Sequence, residues 1–82
     1  SPLNGNIICQ RIPIDNRPEI PIQYRKTFID RAEVLDGRWT DYKKGQTIIH
    51  RLNAGYDMVY NFKGTEKRVT KVHESQVVGI IK

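Results

Sequence analysis

Tyr42-Lys43-Lys44-Gly45-Gln46-Thr47-Ile48-Ile49-His50 is the stretch around which the rest of the sequence is arranged. Two lysines on a glycine turn run directly into a β-branched segment, which marks a turn feeding a strand. Upstream, Ala32-Glu33-Val34-Leu35 reads as a short strand stopped by the turn dipeptide Asp36-Gly37. Trp39 and Tyr42, between these two strands, either cover one end of a barrel or pack on a connecting loop. Downstream, Asn53-Ala54-Gly55 is a turn and Met58-Val59-Tyr60-Asn61-Phe62 a strand of alternating bulk. Lys63-Gly64 turns the chain into Arg68-Val69-Thr70-Lys71-Val72. His73-Glu74-Ser75-Gln76 is a polar corner that could hold one turn of 3₁₀ helix, and Val77-Val78-Gly79-Ile80-Ile81 a closing strand.

The N-terminal part adds one strand and one long connection. Asn4-Gly5-Asn6 signals a turn, and the strand after it runs from Ile7 through Ile8 and Cys9 to Ile12. Ile7 and Ile8 place apolar side chains on both faces. One face therefore meets a core and the other a neighbouring strand or subunit. Residues 13–31 break all periodicity, because Pro13, Pro18 and Pro21 remove donors and fix the backbone. A connection of that length in a compact domain points to function or disorder. Ile20-Pro21-Ile22 sets apolar residues in its middle, and Phe28 and Ile29 lie on its return arm. Six short strands without a convincing helix predict an all-β fold, a small barrel or sandwich, as one domain over residues 1–82.

Composition narrows the setting. With 38% hydrophobic residues and 82 residues in all, the core is lean, so association with further subunits is expected. A single cysteine, Cys9, excludes an internal disulfide and fits a reducing, cytoplasmic compartment. Cys9 itself reads as a small buried hydrophobe. No apolar run approaches the roughly 18 residues of a membrane span, so no membrane partner is expected. Ser1-Pro2-Leu3, without an initiator methionine, reads as an added or truncated start.

Fourteen Lys and Arg face nine Asp and Glu, but acids are interleaved throughout, and nucleic acid is not the expected partner. The densest basic stretch, residues 63–71, reads as a solvated hairpin with gatekeeper charges. Tyr56, Tyr60 and Phe62 beside Lys63, Lys67 and Arg68 could form a single-strand nucleic-acid platform. A small barrel needs its few aromatics inside, however, so these rings are expected in the core. His50 and His73 have no second ligand at metal-binding spacing, and no nucleophile motif or phosphate loop is present. The sequence therefore predicts no enzyme, no metal and no cofactor.

The order of these parts resembles the GroES-like co-chaperonin family. Residues 42–49 look like the family's valine-lysine-valine-glycine-aspartate turn and the strand after it. Gly55-Tyr56 resembles its glycine-tyrosine, and Ala32-Glu33-Val34-Leu35 its glycine-glutamate-valine-leucine strand. Residues 73–81 resemble its closing corner and apolar strand. The resemblance implies a partly open β-barrel assembling into a ring, expected to be a heptamer, that caps the folding chamber of a large chaperonin ring. Its long loop would carry the chaperonin contact, here Ile20, Pro21 and Ile22, with Phe28 and Ile29 as an alternative anchor. The first strand of one subunit would lie against the last strand of its neighbour, placing Ile7, Ile8, Cys9, Val77, Val78, Ile80 and Ile81 at the seam. Two departures mark a divergent member: Pro18-Glu19 replaces the usual glycines, and no roof hairpin fits between Asp36 and Lys43. Two other readings use the same barrel, a nucleic-acid-binding SH3-like or OB-like module and a phage or bacterial structural module without chaperone activity.

Overall fold

The computed structural model describes residues 4–12, 19–20 and 29–81. Six strands follow one another: β1 (Asn6–Arg11), β2 (Ile29–Asp36), β3 (Thr47–Arg51), β4 (Tyr56–Phe62), β5 (Thr65–His73) and β6 (Val77–Ile81). A 3₁₀ turn, Glu74–Gln76, occupies the polar corner before β6. There is no α-helix among the described residues. The strands form one antiparallel sheet in the order β4-β5-β1-β2-β3-β6. The sheet is open, with β4 and β6 as its two edges.

Short-range chemistry explains most of the neighbour pairs. β4 and β5 form a hairpin in which Phe62 faces Thr65 across the two-residue turn Lys63-Gly64. Both turn residues have positive φ, 53° and 91°, the backbone demanded by a turn whose twist matches the strands it joins. Asn61 Oδ1 accepts a 2.7 Å hydrogen bond from Gly64 N and closes that turn. At the opening stretch, Gln46 N donates to Lys43 O, while Lys43 N donates to the Gln46 side chain. Gly45 N then donates to Val34 O and Val34 N to Gln46 O, so the corner is pinned directly to β2. The corner sets the start of β3 against the end of β2.

The core lies on one pleat face. Ile7 and Cys9 of β1, Ala32 and Val34 of β2, Ile48 of β3 and Val72 of β5 form one fully buried cluster. Tyr42 from the β2–β3 connection and Val77 from β6 pack against it. Each large side chain taken from water contributes about 1.5–3 kcal/mol, so these few residues carry much of the fold's stability. Registers agree with this assignment: Ile7 faces Val72, Cys9 faces Val34, and Ala32 faces Ile48. Ile8 and Ile49, on the opposite pleat face, are buried as well.

Three expectations change. The second strand begins at Ile29 rather than Ala32, because Ile29, Asp30 and Arg31 pair with Arg51, His50 and Ile49 of β3. The connection between β1 and β2 is correspondingly shorter at its C-terminal end. The fifth strand extends back to Thr65, where pairing with β4 rather than any apolar pattern supports it. Met58, Tyr60 and Phe62 are not in the core. Cys9 faces Thr70 and Thr70 faces Asp57, so the core face of the hairpin belongs to Asp57, Thr70 and Val72. The bulky row of β4 therefore occupies the opposite face, and all three residues are only half-buried.

Candidate functional site

The expected seam residues divide into two environments. Ile7, Ile8 and Cys9 are fully buried, and their strand is hydrogen-bonded to β5 on one side and β2 on the other. Burial pushes the Cys9 thiol up to about 12, and its Sγ lies 3.7 Å from Ile7 O, so it is an inert core group. Val77, Val78, Ile80 and Ile81 instead form β6, whose inner edge pairs with β3 and whose outer edge has no strand beside it among the described residues. All five residues of β6 are half-buried. The register slips between Ile49 and His50, leaving Val78 as the extra residue of a bulge. An uncharged, apolar edge of this kind is a template for pairing with another chain.

Of the expected loop contact, Pro21, Ile22 and Phe28 lie outside the described residues. Ile20 is half-buried beside an exposed Glu19. Ile29 is the first residue of β2, opposite Arg51, and so belongs to the sheet.

The β2–β3 connection and the hairpin meet on the face opposite the core. Asp36 and Arg38 form a two-pronged ion pair, with Nη2 to Oδ2 at 2.6 Å and Nε to Oδ2 at 3.0 Å. The Arg38 guanidinium holds the Asp36 carboxyl below its ordinary value, and the Tyr60 hydroxyl acts in the same direction more weakly. Arg38 also lies 4.9 Å from the Trp39 ring, which meets Tyr60 edge-on at 6.4 Å. Tyr60 in turn meets Phe62 edge-on at 4.7 Å. Gly37 makes this tight fold possible, because a Cβ there would stand 2.0 Å from Tyr42 O. A groove of about 640 Å³ runs between this connection and Phe62, with Lys43 and Lys44 on its wall. A smaller one of about 260 Å³ continues along Leu35, Lys44, Phe62, Thr65 and Lys67.

The two histidines play different parts. His50 is buried opposite Asp30, and its Nδ1 lies 2.9 Å from Arg51 O. A carbonyl can only accept, so Nδ1 carries a proton and donates it, while the buried Nε2 meets no hydrogen-bond partner among the described residues. His73 caps the 3₁₀ turn, its Nδ1 accepting from Ser75 N at 3.1 Å. Among the described residues, no three His, Cys, Asp or Glu side chains gather into a metal-holding group. Among the described residues, no helix is long and apolar enough to cross a membrane. No protein-family model matches the chain, and no curated protein matches it.

The sequence offers Tyr56, Tyr60 and Phe62 as a surface platform but favours the core, whereas Tyr56 is exposed and the other two only half-buried. The signal for exposure was present in the cross-strand partners, since the row opposite Tyr56, Met58, Tyr60 and Phe62 contains Lys71 and Lys67, which are poor core residues.

Proposed function

We propose that this chain is a GroES-like co-chaperonin subunit that acts as part of a homo-oligomeric ring capping a chaperonin chamber. The observation that supports this reading most is β6, an apolar closing strand at a sheet edge whose outer side pairs with no other strand among the described residues. A head-to-tail contact through that edge generates a ring when its rotation closes. The strand β1 is already paired on both sides, so the contact made by β6 falls on another part of the neighbouring subunit. The segment between β1 and β2 would supply the chaperonin contact through Ile20, Pro21 and Ile22. Repeated copies in one ring would raise a weak single contact to a useful avidity.

The test uses the intact assembly and a purified double-ring chaperonin in the nucleotide state that accepts a cap. Ile20→Asp with Ile22→Asp should abolish co-sedimentation with the chaperonin while leaving the subunit's β-sheet circular dichroism unchanged. Undiminished co-sedimentation by that variant contradicts the reading.

A further inference from the structure

We infer that the face of the β4–β5 hairpin opposite the core is a binding site for single-stranded nucleic acid. The hairpin sorts its charges by face. Tyr56, Met58, Tyr60 and Phe62 of β4 lie opposite Lys71, Val69, Lys67 and Thr65 of β5, so these eight side chains share one face, on which Val69 is buried. The two acids of the hairpin, Asp57 and Glu66, face Thr70 and Asn61 and lie on the other surface. The aromatic surface thus carries lysines without a carboxylate of its own strands. Asp57 is further occupied on its side by Thr70 at 3.0 Å and Arg11 at 3.7 Å.

Tyr56 is the open ring of the row, whereas Tyr60 and Phe62 pack edge-on in line with Trp39 and keep only part of their surface free. Tyr56 is 66% exposed, with the Lys71 ammonium 5.2 Å from its centroid, and Tyr60 and Phe62 are half-buried. From Tyr56 to Phe62 the row spans about 20 Å at ordinary strand rise. At its far end it opens into the groove walled by Lys44 and Lys67, and then into the larger one beside Lys43 and Arg38. Asp36 in that larger groove is paired with Arg38, and the exposed Asp41 lines the groove as well. Aromatic rings spaced along a strand and flanked by cations suit a flexible chain of planar bases joined by phosphates. An acidic peptide would use the cations but leave the rings unstacked. A duplex hides its bases and gains only the charge term. The chain's net charge of +5 favours the same class of ligand.

The experiment is fluorescence anisotropy with a labelled oligo-dT of about 20 nucleotides, long enough for several stacking positions. Saturable binding is expected at about 50 mM salt and should weaken as salt rises. Lys67→Gln with Lys71→Gln should lower the log-affinity against log-salt slope by about 1.4, at about 0.7 per phosphate contact on a single strand. Tyr56→Ala, at an exposed edge position, should weaken binding about 5- to 100-fold with little change in that slope. Lys63→Asn with Arg68→Gln removes the same charge off this surface and should change affinity far less. Absence of binding overturns the inference. So does an equal loss from the Lys63/Arg68 variant, unchanged affinity in Tyr56→Ala, or competition by duplex or poly-glutamate as effective as oligo-dT. Circular dichroism checks that each variant is folded, and none of these outcomes depends on ring formation.

Discussion

The two edges of this sheet are built on opposite principles. At one edge, β6 is Val77-Val78-Gly79-Ile80-Ile81, without a charge and half-covered along its whole length. At the other, β4 belongs to a hairpin whose turn end is solvated and whose strand β5 carries Glu66, Lys67, Arg68 and Lys71. Charges on an edge hairpin discourage pairing with other chains, whereas a bare apolar edge invites it. Exposure alone therefore does not mark a surface for assembly. The β4 edge is exposed and guarded; the β6 edge is less exposed and unguarded.

The largest effect is expected in the core beneath β6. Ile48 lies between Ala32 and Ile80, so it supports β6 as well as the central core. Ile48→Ala should destabilise the whole chain by about 2–5 kcal/mol, read as a shift in the urea midpoint. A shift under about 1 kcal/mol would mean that the core does not lie where the buried cluster places it. A smaller and more local effect is expected at the guarded edge. Gly64 has φ of 91° with open space around it, so Gly64→Ala meets no clash and is penalised only by its backbone. The penalty should be about 1–2 kcal/mol, with faster hydrogen exchange confined to β4 and the start of β5. Uniformly faster exchange, extending to β3 and β6, would show that the two edges are not separable.

The smallest effect concerns the connection that packs against the hairpin. The carboxyl of Asp36 is held below its ordinary value by Arg38, so folding stabilises its charged form. That contribution is complete above the unfolded value of about 3.9 and is lost as pH falls through the lowered folded value. Asp36→Asn should therefore be less stable than the parent near neutral pH, with the gap narrowing below about pH 4. A gap that widens on acidification would contradict the ion pair's role.

Much of the fold was legible because strands announce themselves locally. β3 and β6 could be placed from β-branched runs between turn signals, and the polar corner at His73 from its composition. The β2 start was hidden because Ile29, Asp30 and Arg31 follow a proline-bearing segment, and only pairing with β3 makes them a strand. Alternation placed Met58, Tyr60 and Phe62 on one face but could not say which. That choice is made by the distant contact of β5 with β1, where Val72 opposes Ile7 and commits the other row to the core. For the same reason Ile7, Ile8 and Cys9 read as possible seam residues. Their apolar character is plain in sequence, whereas the two strands that flank them come from remote parts of the chain. The Asp36–Arg38–Trp39–Tyr60 arrangement was out of reach altogether, since it joins a loop to a strand through side-chain geometry.

Native mass spectrometry at micromolar concentration separates a β6 edge that joins subunits from one that does not. The wild-type chain should appear as a closed oligomer of one size. Val78→Lys with Ile81→Lys, which charges that edge, should convert it to folded monomer, while Val59→Lys on β4 should leave it assembled. A wild-type chain that is strictly monomeric, or an oligomer indifferent to charges on β6, would rule out assembly through this edge.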